Sequence, residues 1–78
     1  MKEHIIKSTK RPDKIVVVNQ EGKVVREKSY QDGKLNGPIN LYWDDGKPRL
    51  TGKFENNTRI GDWTHFDPEG NIILEEIF

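Results

Sequence analysis

His65 and Asp67 are the one pair in this chain whose types and spacing could do acid–base chemistry. They stand two apart on what reads as one strand face, where a carboxylate could orient an imidazole. Nothing completes the set. There is no cysteine, and neither Ser8, in a loop, nor Ser29, mid-strand, has a base in sight. The chain's other histidine is His4, and a lone strand histidine such as His65 reads more simply as a surface or interface residue. Asp44-Asp45 and Asp67-x-Glu69 could gather a cation, but Asp at such places forms turns through local hydrogen bonds. No glycine-rich phosphate loop precedes a helix, and no ligand cluster has metal-binding spacing. The expectation is a non-enzymatic protein with no catalytic residue, cofactor or metal.

Binding is the remaining class, and charge narrows it. Lys7, Lys10, Arg11 and Lys14 form a basic stretch beside aromatic strands, and sheets with stacking aromatics do bind single-stranded nucleic acid. Yet formal net charge is zero, whereas such binders carry a strong positive stripe. Attachment of the basic stretch to an acidic lipid surface needs cooperating signals that are missing. The charge is uneven along the chain. Residues 1–36 hold nine Lys/Arg against five Asp/Glu, and residues 37–78 hold four against eight. This distribution reads either as a solvated surface with chance clustering or as a dipolar molecule whose acidic end steers a basic partner.

The 78 residues make one small domain with a thin core. The absence of cysteine fits a reducing compartment. No apolar run approaches the ~18–20 residues that cross a bilayer. Met1 to Ile6 is too short and polar for a secretory signal. The expectation is a cytoplasmic protein, in which the glycosylation-like Asn56-Asn57-Thr58 has no significance.

The elements that position these residues follow a repeat. Gly22, Gly46 and Gly70 are 24 apart, and so are Tyr30, Phe54 and Phe78. Val18, Tyr42 and Phe66 keep the same step, as do Ile15, Ile39 and Trp63, and Gly37 and Gly61. One period implies copies of one supersecondary unit. Each copy reads as a hairpin of two short strands. The tight turns are Gln20-Glu21-Gly22, Asp44-Asp45-Gly46 and Pro68-Glu69-Gly70, where glycine supplies φ > 0. Longer loops, 31–37 and 56–61, join the copies, and Asn57 stands where the preceding loop has Gly33, as a φ > 0 site allows. The units are 14–37, 38–61 and 62–78. Residues 1–13 read either as a degenerate half-unit, with a strand at Lys2 to Lys7 and a loop at Ser8 to Asp13, or as a basic tail. The predicted fold is all-β, an antiparallel meander of repeated β-hairpins in a single sheet of six or seven strands.

Stepping by two from the tight turns assigns the faces. Val18, Val24, Tyr30, Tyr42, Pro48, Leu50, Phe54, Phe66, Ile72, Leu74 and Phe78 fall together and are predicted to be the packed face. Gly52, beside Phe54, would let a neighbouring ring lie over bare backbone. The other face is mixed. It carries Ile15, Val17, Ile39, Leu41, Trp43, Trp63 and His65 with Val25, Glu27, Arg49, Thr51, Lys53, Ile73 and Glu75. Tryptophan beside arginine is interface material. The competing reading is that the sheet twists enough to bury both tryptophans.

The run Leu50 to Trp63 (Leu-Thr-Gly-Lys-Phe-Glu-Asn-Asn-Thr-Arg-Ile-Gly-Asp-Trp) resembles a MORN repeat, and Trp63, Phe66 and Gly70 resemble its bacterial variant. The preceding copy matches with Tyr30, Asp32-Gly33, Gly37, Tyr42 and Gly46, and departs where Lys28 replaces Gly52 and Ile39 replaces Trp63. The resemblance covers about residues 26–78. It implies a sheet of hairpins and, for the bacterial variant, an antitoxin-like or immunity-like inhibitor of another protein. With the residue reading, it gives the leading expectation: a small protein-binding inhibitor, host-encoded or a phage-encoded anti-defence protein. Leu41, Trp43, Arg49, Trp63 and His65 would supply contacts. Asp62, Asp67, Glu69, Glu75 and Glu76 would steer a basic target such as a nucleic-acid-acting toxin or a defence nuclease. The alternatives are a module that self-associates, as a homodimer, through its sheet edges, and a nucleic-acid or acidic-lipid binder.

Overall fold

The computed structural model describes residues 2–8 and 11–78, with side chains from Asp13 onward. The loop expected at Thr9 and Lys10 lies outside the described residues. Seven strands follow one another: β1 Lys2–Ser8, β2 Arg11–Val18, β3 Val24–Gln31, β4 Lys34–Tyr42, β5 Pro48–Glu55, β6 Thr58–Phe66 and β7 Ile72–Ile77. They form one sheet in the order β1-β2-β3-β4-β5-β6-β7, every neighbouring pair antiparallel. The fold is the all-β hairpin meander, and no helix occurs among the described residues. Ser8 and residues 11–13, expected in a loop, belong to β1 and β2 respectively, where Ser8 pairs with Arg11.

The tight turns repeat atom for atom. Asn19, Trp43 and Asp67 each donate N–H to the carbonyl four residues on, at 2.9, 2.8 and 2.8 Å. Each also accepts from the glycine three residues on, at 3.0, 2.8 and 3.0 Å. Gly22, Gly46 and Gly70 have φ of 80°, 90° and 91°, so one conformation serves all three. The loops that join the units prove shorter than expected. They are two-residue turns at Asp32-Gly33 and Asn56-Asn57, all four residues at positive φ, as a type I′ hairpin requires. The rest of each supposed loop is bulged strand around Gly37 and Gly61. Side chains tie successive units at both ends of the sheet. Asn19 Nδ2 donates to the Asp44 carbonyl at 2.9 Å, and the Leu35 N–H donates to Asn57 Oδ1 at 2.8 Å.

Register overturns the expected division of faces. Tyr42 pairs with Pro48 but Leu41 pairs with Leu50, so Arg49 is an extra, bulged residue. Val25 and Ile73 are bulged in the same way, between Val18↔Val24 and Val17↔Arg26 and between Phe66↔Ile72 and His65↔Leu74. Each bulge reverses the alternation of its strand. Tyr42, Pro48, Phe66 and Ile72 therefore face one way, and Leu50, Phe54, Leu74 and Phe78 face the other, with Trp63. Glu27, Thr51, Lys53 and Glu75 leave the face of the tryptophans.

Cross-strand rows define the packed face. One row runs Val17, Arg26, Leu41, Leu50, His65, Leu74. The next runs Ile15, Lys28, Ile39, Gly52, then Trp63 and Glu76. Among the residues whose side chains are described, Val17, Val25, Ile39 and Trp63 are buried. Trp63, 4% exposed, lies flat on Gly52, where any Cβ would overlap the indole carbons. Phe54 and Phe78 meet it edge-on, with ring centroids at 5.1 and 6.0 Å, a geometry that favours aromatic pairs. Arg59 caps the cluster, its guanidinium 4.5 Å from the Phe78 ring centre, and Trp63 Nε1 donates to the Ile60 carbonyl at 3.1 Å. The sheet stays one layer thick. Its accessible surface of 5654 Å² exceeds the roughly 4,900 Å² of a compact chain of 9.1 kDa. Much of both faces is therefore surface.

Candidate protein-contact surface

The surface is built on a position where the turn breaks its own rule. Asn19 and Asp67 open the first and third tight turns, and each side chain caps its turn. Asn19 Oδ1 accepts the N–H groups of Glu21 and Lys23, and Asp67 Oδ1 accepts those of Glu69 and Asn71. This is the local bonding that makes Asx residues turn formers. The equivalent residue of the second turn is Trp43, which can cap nothing. Asp45 partly replaces the cap, Oδ1 accepting from the Lys47 N–H at 3.0 Å. The indole is half-buried on the packed face, its Nε1–H covered and without an acceptor among the described residues. The guanidinium of bulged, exposed Arg49 lies 4.8 Å from the ring centre. That cation–π contact is worth about 0.5–1 kcal/mol at an exposed site. A shallow, open groove lined by Tyr42, Trp43, Asp44, Asp45, Arg49 and Pro68 surrounds the pair.

The predicted contact residues divide into four groups. Leu41, Trp43, Arg49 and His65 do share one face, with Leu41 and His65 both pairing with Leu50 in one row. The face pattern expected from sequence places Leu50 opposite, and the structure places it here. The signal that relocates it is the bulge at Arg49. Trp63 is in the core and offers no free surface, which corrects its place among the contact residues. Glu76 joins the contact face, its Oε1 2.8 Å from His65 Nε2, so the histidine's carboxylate partner is Glu76 and not Asp67. Asp67 instead belongs to its turn, and the N–H groups of Asn71 and Glu69 hold its carboxyl below the ordinary 3.8. Glu69 is exposed in the same turn. Asp62 and Glu75 lie on the opposite face, as their pairing with Ile77 and Thr64 requires.

The opposite face holds a polar network that sequence reading missed. Tyr42 Oη donates to Glu27 Oε1 at 2.6 Å, and Lys14 Nζ lies 3.2 Å from Glu27 Oε2. The phenol bond, more than the lysine, lowers the Glu27 carboxyl below 4.5, and the same bond pushes Tyr42 up to about 12. Its three residues come from β2, β3 and β4, so their meeting depends on register.

Comparison with family profiles, with curated proteins and with solved structures gave no match. Among the described residues, no three His, Cys, Asp or Glu side chains are gathered so as to hold a metal ion. Nor, among the described residues, is any helix long and apolar enough to cross a membrane.

Proposed function

We propose that the chain is a non-enzymatic protein-binding module that inhibits its target, and that the Trp43–Arg49 patch is its contact centre. One observation carries this reading: a tryptophan occupies a turn position that Asn19 and Asp67 show to be built for a capping side chain. Departures from a local rule without a core gain mark functional sites. The core gain is small, because Trp43 is only half-buried, stacked on an exposed arginine. Trp and Arg are the residues that dominate binding energy at interfaces. The acidic residues Glu69 and Glu76 then favour a basic partner, consistent with a nucleic-acid-acting toxin or defence nuclease. The MORN-like sequence pattern supports an inhibitor of the antitoxin-like or immunity-like kind, acting in the cytoplasm.

The test is Trp43→Asn. Asparagine restores the cap that Asn19 makes, so fold stability is expected to hold within about 1 kcal/mol. A photo-crosslinking residue at Arg49 is expected to capture one target in the native cell, and the same residue at Thr51, on the opposite face, is not. The captured target, purified, loses activity with the wild-type chain and keeps it with Trp43→Asn. Equal inhibition by both proteins would refute the assignment of the patch.

A further inference from the structure

All of the large apolar residues most exposed among the described ones lie in one place: Ile72, Ile73, Leu74, Ile77 and Phe78. They belong to β7 and the residue after it, and β7 is an edge of the sheet. Among the described residues no strand faces its outer row of N–H and C=O groups, which is the condition for adding one.

The repeat supplies its own template for what would cover this edge. β7 is the 24-residue successor of β5 and β3. On β3 the outer neighbour is β4, and on β5 it is β6. Where such a neighbour exists, the apolar equivalents of Ile73, Leu74 and Phe78 are better covered, although Pro48 and Arg49, the β5 equivalents of Ile72 and Ile73, stay exposed. Val25 is 8% exposed, whereas Ile73, its counterpart on β7, is 64% exposed. Tyr30 and Phe54 are half-buried, whereas their counterpart Phe78 is exposed. An incoming strand would run antiparallel to β7, as β6 does to β5.

Charge selects the occupant. Residues 67–78 carry Asp67, Glu69, Glu75 and Glu76 and no Lys or Arg. Glu75 and Glu76 are adjacent, so they point to opposite faces. A second copy docked through its own β7 would bring two Glu75-Glu76 pairs into one seam with no cation from either strand, and like charges across a ladder repel. A strand with two consecutive basic residues flanked by apolar ones answers both carboxylates and covers the exposed side chains.

We propose that the open edge of β7 captures an extended segment of another protein, antiparallel to β7, in which an adjacent pair of Lys or Arg residues is flanked on both sides by apolar residues. The proposal rests on the protein-binding reading and names the chemistry of one partner segment, but it does not use the Trp43 patch. The probe is the labelled peptide Thr-Val-Ile-Lys-Arg-Val-Ile-Thr, titrated into the full chain. It is compared with the same peptide carrying Glu-Glu for Lys-Arg. The expected result is roughly tenfold or more weaker binding of the Glu-Glu peptide, the equivalent of about 1.4 kcal/mol. Backbone amide shifts in ¹⁵N spectra are expected to change at residues 72–78 and across β6. The paired change Glu75→Lys, Glu76→Lys is expected to reverse the preference, with its far-ultraviolet spectrum confirming the sheet. Trp43→Asn leaves peptide binding unchanged, so loss of the native target without loss of the peptide indicts the patch alone. Equal binding of the two peptides, shifts centred on another strand, or a dimer at neutral pH that buries β7 and excludes the peptide would each overturn the proposal.

Discussion

Gly52→Ala tests the core directly. Gly52 lies in extended backbone, where alanine is conformationally better than glycine by about 0.5–1 kcal/mol. The objection to a methyl group there is the Trp63 ring, whose carbons are the nearest atoms and would be overlapped by the new Cβ. The ring cannot simply lift away, because Phe54 and Phe78 hold it edge-on and Ile60 accepts its N–H. Overpacking of this kind costs about 1–3 kcal/mol. The net expectation is a loss of roughly 1–2 kcal/mol, against about 4–12 kcal/mol of total stability for a chain of this length. That corresponds to a fall in Tm of about 5–15 °C. Trp63→Leu removes the obstacle. In that background Gly52→Ala is expected to change sign and stabilise by a few tenths to 1 kcal/mol. Thermal and urea unfolding of the four proteins give the cycle, with an expected coupling of about 2 kcal/mol. If Gly52→Ala has the same effect in both backgrounds, the indole does not rest on Gly52, and the face assignment built on that contact fails.

Three further outcomes follow from the turns and the polar network. Tyr42→Phe removes a hydrogen bond to a charged acceptor and is expected to cost about 1.5 kcal/mol, with the Glu27 carboxyl returning toward 4.5 in a ¹³C titration. Phenolate absorbance is expected to show one tyrosine ionising near 12, lost in the same variant. For acid, the folded pKa values of Glu27 and Asp67 lie below their unfolded ones, so the unfolded chain binds more protons there. Their contribution is full above the ordinary carboxylate range and is lost as pH falls through the folded values, seen as a declining urea midpoint that Asp67→Asn partly flattens. Gly46→Ala and Gly70→Ala, both forcing a Cβ into φ near 90°, are expected to cost about 1–2 kcal/mol each and to match within about 0.5 kcal/mol. Unequal losses would show that the turns only look alike.

The topology was legible because it is local. The 24-residue beat, the glycines at φ > 0 and the Asn57-for-Gly33 exchange each report a turn, and a chain of turns is a meander. The side-chain faces were misread because they are not local. A bulged residue adds one step to a strand without leaving a strong mark on composition: Val25, Arg49 and Ile73 share a position and nothing chemical. The same blindness hid the Glu27–Tyr42–Lys14 network, which exists only once β2, β3 and β4 are in register.

Trp43 and Trp63 show how much turns on what stands across the strand. Both belong to aromatic first-strand runs, and composition gives no reason to treat them differently. Trp63 stands at Gly52, a bare stretch of backbone, so its ring lies down and becomes core. Trp43 stands at the mouth of a turn, paired with Lys47, with the bulged Arg49 beneath its ring. It has no bare backbone to lie on, and it remains half-buried. In a sheet one layer thick there is no second layer to decide burial. The size of the cross-strand neighbour decides it, and the same rule leaves β7, which has no outer neighbour among the described residues, as the apolar edge of the sheet.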